Sequence, residues 1–82
     1  MEYRGIKLIK TCGACPEQYD AFDGRGRRVG YLRLRHGYFY AVAPGVRGDI
    51  VYEAMPNGDG IFDDDEREGF LQEAIDAIKE AR

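Results

Sequence analysis

The segment Tyr31–Tyr40 reads YLRLRHGYFY. Arginine alternates with leucine up to the pair His36-Gly37; beyond it, tyrosine alternates with phenylalanine. Successive side chains of an extended strand point to opposite faces, so each half of the segment is two-sided. Glycine takes a positive φ cheaply and histidine is acceptable in the left-handed region. His36-Gly37 is therefore expected to be a two-residue hairpin turn. Counting outward pairs 35 with 38, 34 with 39, 33 with 40, 32 with 41 and 31 with 42. One face then carries Leu32, Leu34, Phe39 and Ala41. The other carries Arg35 beside Tyr38, Arg33 beside Tyr40, and Tyr31 beside Val42.

The rest of the chain supplies partners for both faces. Residues 3–11 read as a first strand, with Ile6 and Leu8 alternating against Lys7, and residues 18–22 as a second. Cys12 to Pro16 is a loop, and Asp23-Gly24 is a hairpin signal. Strands three, four and five fall at 27–35, 38–43 and 50–54. After the loop MPNGDG (55–60), a helix is expected over about 64–80. Asp63, Asp64 and Asp65 sit at its start, where carboxylates suit free N–H groups and the macrodipole. Phe70, Leu71, Ala74, Ile75, Ala77 and Ile78 form its apolar stripe. The expectation is an α+β domain: an antiparallel meander of about five strands, with one C-terminal helix packed on one face. Leu32, Leu34 and Phe39 would meet Leu71, Ile75 and Ile78, each burial contributing roughly 1.5–3 kcal/mol.

Size and charge bound the function. A chain of 82 residues makes one domain with a thin core. Its 44% hydrophobic and 33% charged residues give an ordinary globular balance. No apolar run reaches the roughly 18 residues a membrane span needs, and Met1 to Lys10 is charged where a signal peptide would be apolar. A soluble, cytoplasmic protein with no membrane partner is the expectation. Residues 1–48 hold nine Lys/Arg and four Asp/Glu, whereas residues 49–82 hold three and eleven. The net charge of −3 thus divides into a basic part and an acidic part, two possible partner surfaces.

Three candidate sites follow. The first is the arginine–tyrosine ladder of Tyr31, Arg33, Arg35, Tyr38 and Tyr40. These are residue types enriched at protein interfaces. They can also stack bases and neutralise phosphates, so a nucleic-acid-binding face is the alternative. A solvated sheet face explains the same pattern without a partner. The second is the stretch 55–66, which can be framed as a calcium loop. Asn57, Asp59, Ile61 through its carbonyl, Asp63 and Glu66 fall at ligand positions, but Met55 offers no side-chain oxygen at the first. A Gly-rich turn running into a helix cap explains those residues equally. The third, Cys12-x-x-Cys15, is half of a zinc site, which a carboxylate or a second chain would have to complete; a reduced loop is the plain alternative. No enzyme constellation, phosphate loop or dinucleotide fingerprint is present, so neither catalysis nor a resident cofactor is expected.

The phrases CPEQYDAFD (15–23), VGYLRLRHGYFY (29–40), VYEA (51–54) and GDGIFDDDE (58–66), with the helix FLQEAIDAI (70–78), resemble a group of small uncharacterised proteins encoded in bacteriophage and prophage genomes. The resemblance spans roughly Ile6 to Ile78. It places Cys15 in a shared phrase and leaves Cys12 outside it. No catalytic residue is carried over. It implies a phage accessory protein that binds a host protein such as a polymerase, a nuclease or a defence complex, in its most concrete form as a stoichiometric inhibitor.

Overall fold

The computed structural model describes residues 1–12, 16–45 and 47–81. Six strands run β1 (Glu2–Tyr3), β2 (Ile6–Lys10), β3 (Glu17–Phe22), β4 (Arg28–Arg35), β5 (Tyr38–Ala43) and β6 (Asp49–Ala54), followed by α1 (Asp64–Glu80). Each strand pairs antiparallel with the next, so the sheet order is the chain order. This is the expected α+β meander with a C-terminal helix. The reading of residues 3–11 as a single strand is corrected. The chain reverses at Arg4 and Gly5, with φ of 52° and 82°, and the two-residue β1 folds back on β2. Arginine seldom takes a positive φ, so this turn left little mark in the sequence.

The decisive reversal stands where expected. His36 and Gly37 have φ of 54° and 73°, and β4 pairs with β5 as Arg35↔Tyr38, Leu34↔Phe39, Arg33↔Tyr40, Leu32↔Ala41 and Tyr31↔Val42. Leu32, Leu34, Phe39 and Ala41 are fully buried beneath α1, against its Leu71, Ala74, Ile75 and Ile78. Phe62 completes this layer, edge-on to Phe39 at 4.9 Å and stacked on Phe70 at 5.8 Å. The helix lies close to the sheet at Gly30, where an added Cβ would come within 2.7 Å of Ile78 Cδ1. Two register shifts add core residues that strict alternation would not supply. In β4 the shift leaves Val29 between partners, and in β6 it leaves Val51. Val29 is buried and Val51 packs against the core, as a bulge allows.

One charged side chain sits wholly inside this core. Glu17, opposite Leu34 in β3, has no exposed surface. Its carboxylate accepts hydrogen bonds from Arg67 Nε at 2.7 Å, from Arg67 Nη2 at 3.3 Å, from the Phe62 N–H at 2.9 Å and from the Tyr19 hydroxyl. Burial pushes the Glu17 carboxyl up, but the bonds from Arg67, Tyr19 and Phe62 outweigh it and hold the carboxyl below the usual glutamate range. Arg67 also reaches Asp64 Oδ1 at 2.7 Å and the Phe62 carbonyl at 3.2 Å. The Glu17 N–H donates to the Gly60 carbonyl at 2.8 Å. This set of bonds ties the start of the helix and the preceding loop to β3.

A buried ion that loses its partner is strongly destabilising, whereas an exposed pair contributes little. Arg67→Met is expected to cost about 3–5 kcal/mol. Arg4→Met, which removes the solvent-facing pair with Asp76, is expected to cost at most about 1 kcal/mol. Urea unfolding of the two variants measures the difference; equal losses would contradict the role given to Glu17.

Candidate functional site

The face of the sheet opposite the helix is built in rows by the strand register. One row runs Ile9, Asp20, Tyr31, Val42, Ile50. The next runs Gln18, Arg33, Tyr40, Glu53, and the last is Arg35 beside Tyr38, next to the turn. All five residues of the expected ladder therefore share one face. Arg35 is exposed, and Tyr31, Arg33, Tyr38 and Tyr40 are half-buried. Ile9 and Ile50 are exposed at 42% and 51%, giving the first row apolar ends.

The rings are arranged before any partner arrives. Tyr38 and Tyr40 stack with centroids 5.5 Å apart and planes 8° from parallel, and Tyr31 meets Tyr40 edge-on at 6.4 Å. The Tyr38 hydroxyl donates to Glu53 Oε1 at 2.7 Å, and the Tyr31 hydroxyl to Gln18 Oε1 at 3.1 Å. The bond to Glu53 raises the Tyr38 phenol above its ordinary value, and burial raises that of Tyr31. Tyr31 and Tyr38 thus stay neutral, and their hydroxyl bonds fix their orientation. Gln18 and Glu53 were missed by the sequence reading, which counted register across one hairpin only. Extending the count to β3 would have found Gln18. Glu53 needed the register of β6, which the bulge at Val51 obscures.

The arginines are left without anions. Among the described residues Arg4, Arg27, Arg28 and Arg67 each form an ion pair, but Arg33 and Arg35 form none. Arg33 Nε is shielded from solvent and has no hydrogen-bond partner. Both arginines line a cleft of about 390 Å³ at the turn end of the face, together with Pro16, His36, Asp59 and Gly60. The Gly37 N–H donates to the Asp59 carbonyl at 2.6 Å, which fixes one wall of this cleft to the hairpin turn.

Residues of the calcium frame make other contacts in this structure. Both oxygens of Glu66 are engaged by backbone donors: the N–H of Asn57 at 2.8 Å, of Gly58 at 2.8 Å and of Asp63 at 2.9 Å. A carboxylate aimed at three N–H groups is a helix-cap brace, not the closing ligand of a cation loop. The Asp59 carbonyl faces Gly37, and Ile61 is exposed at 47%. Among the described residues no group of three His, Cys, Asp or Glu side chains is placed to hold a metal. Cys12 is half-buried; Cys15, the other half of the zinc expectation, lies outside the described residues.

No protein-family model, no curated protein and no solved structure matches this chain. Among the described residues no helix is long and apolar enough to cross a membrane. The site is therefore read from its own chemistry.

Glu17 and Glu66 share a pH signature. Burial pushes the Glu66 carboxyl up, and the N–H donors of Asn57, Asp63 and Gly58 outweigh it and hold it low. Both carboxyls titrate lower folded than unfolded, so the unfolded chain binds more protons in that interval. The stabilisation is whole above the ordinary glutamate value of 4.5 and is lost as pH falls through the lower folded values. Melting temperature is expected to be level with respect to these groups above that value and to drop below it, with a shallower drop in Glu66→Gln. Millimolar calcium should leave the melting temperature unchanged; a rise of several degrees would restore the cation loop.

Proposed function

We propose that the protein is a non-catalytic protein-binding module of phage type, acting on a host or defence protein through Tyr31, Arg33, Arg35, Tyr38 and Tyr40. The observation that carries the reading is the contrast between paired and unpaired arginines. Arg4, Arg27, Arg28 and Arg67 have acidic partners within the fold. Among the described residues the two arginines beside the ordered tyrosines have none, and one of them has a shielded Nε without an acceptor. Buried donors without partners are uncommon, and each costs about 1–3 kcal/mol. A partner whose acceptors draw the guanidinium out of that shielded position recovers this cost. Rigid tyrosines offer contact area at little entropic loss on binding. The resemblance to phage and prophage proteins supplies the setting and the class of target.

The face suits protein better than nucleic acid. By the strand register it carries Lys7, Arg28, Arg33 and Arg35, but Asp20 and Glu53 lie among them. A polyanion needs an unbroken basic track. Tyr38 and Tyr40 are stacked on each other, which occupies a ring face that a base would use.

The test is capture from nuclease-treated bacterial lysate with a tagged chain. Arg33→Glu combined with Arg35→Glu is expected to reduce the captured partner at least about tenfold, roughly 1.4 kcal/mol, with a melting temperature close to the parent's. Glu68→Gln with Glu80→Gln, on the helix, should capture as the parent does. Undiminished capture by the arginine variant would remove this face from the function, and capture that disappears with nuclease would favour nucleic acid.

A further inference from the structure

Resting on that reading and deepening it, we infer that the cleft at the turn end of the face receives a carboxylate from an acidic segment of the partner protein. Three nitrogen-bearing side chains, Arg33, Arg35 and His36, converge on one cleft, against a single acidic lining residue, Asp59. Among the described residues exposed Arg25 and Arg47 also lack ion pairs, but they sit in turns open to solvent. Arg33 differs: it is half-buried on a strand, its Nε is shut off from solvent, and no acceptor is within reach. A guanidinium matches a carboxylate with two parallel N–H donors, and a charged acceptor makes those bonds about twice as strong as neutral ones.

The cleft is built rather than incidental. The register Gln18↔Arg33 sets one side. The Gly60 side is held by the bond from the Glu17 N–H to the Gly60 carbonyl at 2.8 Å, and the turn is held by the bond from the Gly37 N–H to the Asp59 carbonyl at 2.6 Å. Beside it lies the Tyr38–Tyr40 stack, an apolar floor for the residue that follows the acid. The occupant is therefore an acidic side chain next to an aromatic or aliphatic one, in an extended segment. A phosphodiester strand would place further anions along a face that already holds Asp20 and Glu53.

The full chain, labelled with nitrogen-15, is titrated at low salt with a capped Glu-Glu-Phe peptide, its Gln-Gln-Phe counterpart, inorganic phosphate and a twelve-nucleotide oligothymidylate. The acidic peptide is expected to shift the amides of Arg35, His36, Gly37 and Gly60 and the Arg33 Nε–H. The Gln peptide should bind at least about tenfold more weakly. Arg33→Gln should lose the response while the rest of the spectrum stays as in the parent. Shifts elsewhere, equal binding of both peptides, or tighter binding of phosphate or oligothymidylate than of the acidic peptide would each overturn the inference. The two proposals fail separately. Peptide bound at the cleft with lysate capture unaffected by the arginine variant keeps the carboxylate site and sinks the docking face. Capture lost without peptide binding keeps the face and sinks the cleft.

Discussion

A two-residue reversal leaves no slack in a sheet that has one buried face. With His36 and Gly37 both at positive φ, the chain cannot slide by one residue without exchanging every side chain of β4 and β5 between faces. The exchange would expose Leu32, Leu34 and Phe39, each now fully buried, and drive two guanidiniums beneath the helix. Losing three such burials costs several kcal/mol, at roughly 1.5–3 each. A single buried charge without a partner costs a comparable amount. The same constraint therefore makes the core and gathers the arginines and tyrosines on the other side. The proposed docking face is what the core's register leaves over.

A register alone would leave the turn end of the face open, and the buried Glu17 closes it. Its carboxylate collects Tyr19, Phe62 and Arg67, and its own N–H holds the Gly60 carbonyl. Residues 59–67 are thereby fixed beside the hairpin turn, and the cleft acquires its second wall. Replacing such an ion set with apolar groups can leave a fold equally stable, so its presence is weak evidence for stability as such. What an apolar substitute would not supply is the directional tether of a loop with no apolar residue in Asn57, Gly58, Asp59 and Gly60. On this argument the charge is kept for the placement of that loop.

The parts that sequence reading recovered are those governed by a simple period. The hairpin register, the helix bounds of 64–80 and the two faces all follow from alternation or from 3.6-residue spacing, and the structure reproduces them. The parts it lost break a period. Arg4-Gly5 splits the first strand with a residue that rarely takes positive φ, and Val29 and Val51 each shift the count by one. Glu17 was invisible for another reason: its burial depends on Arg67, fifty residues away. No local pattern announces that an acid on a core-facing position will find its cation in a helix not yet formed. The calcium reading of residues 55–66 meets the converse difficulty. Spacing admits a metal loop and a cap brace alike, and only the direction of the Glu66 oxygens separates them.

The charge asymmetry of the sequence becomes an asymmetry of faces. Helix residues 64–80 carry seven acids against Arg67 and Lys79, and the sheet face opposite carries the arginines. At physiological salt the screening length is about 8 Å, while the molecule measures 19 Å along its shortest axis. A partner approaching the helix side therefore meets chiefly carboxylates, whereas one approaching the turn end of the sheet side meets Arg33 and Arg35. An acidic partner segment is drawn to one side and repelled from the other, which orients the encounter before contact. Orientation of this kind would be lost if the acids were spread over both faces, even at the same net charge of −3. On the proposed reading, the small net charge conceals an arrangement that favours one docking direction, with the cleft and Arg33 at its end.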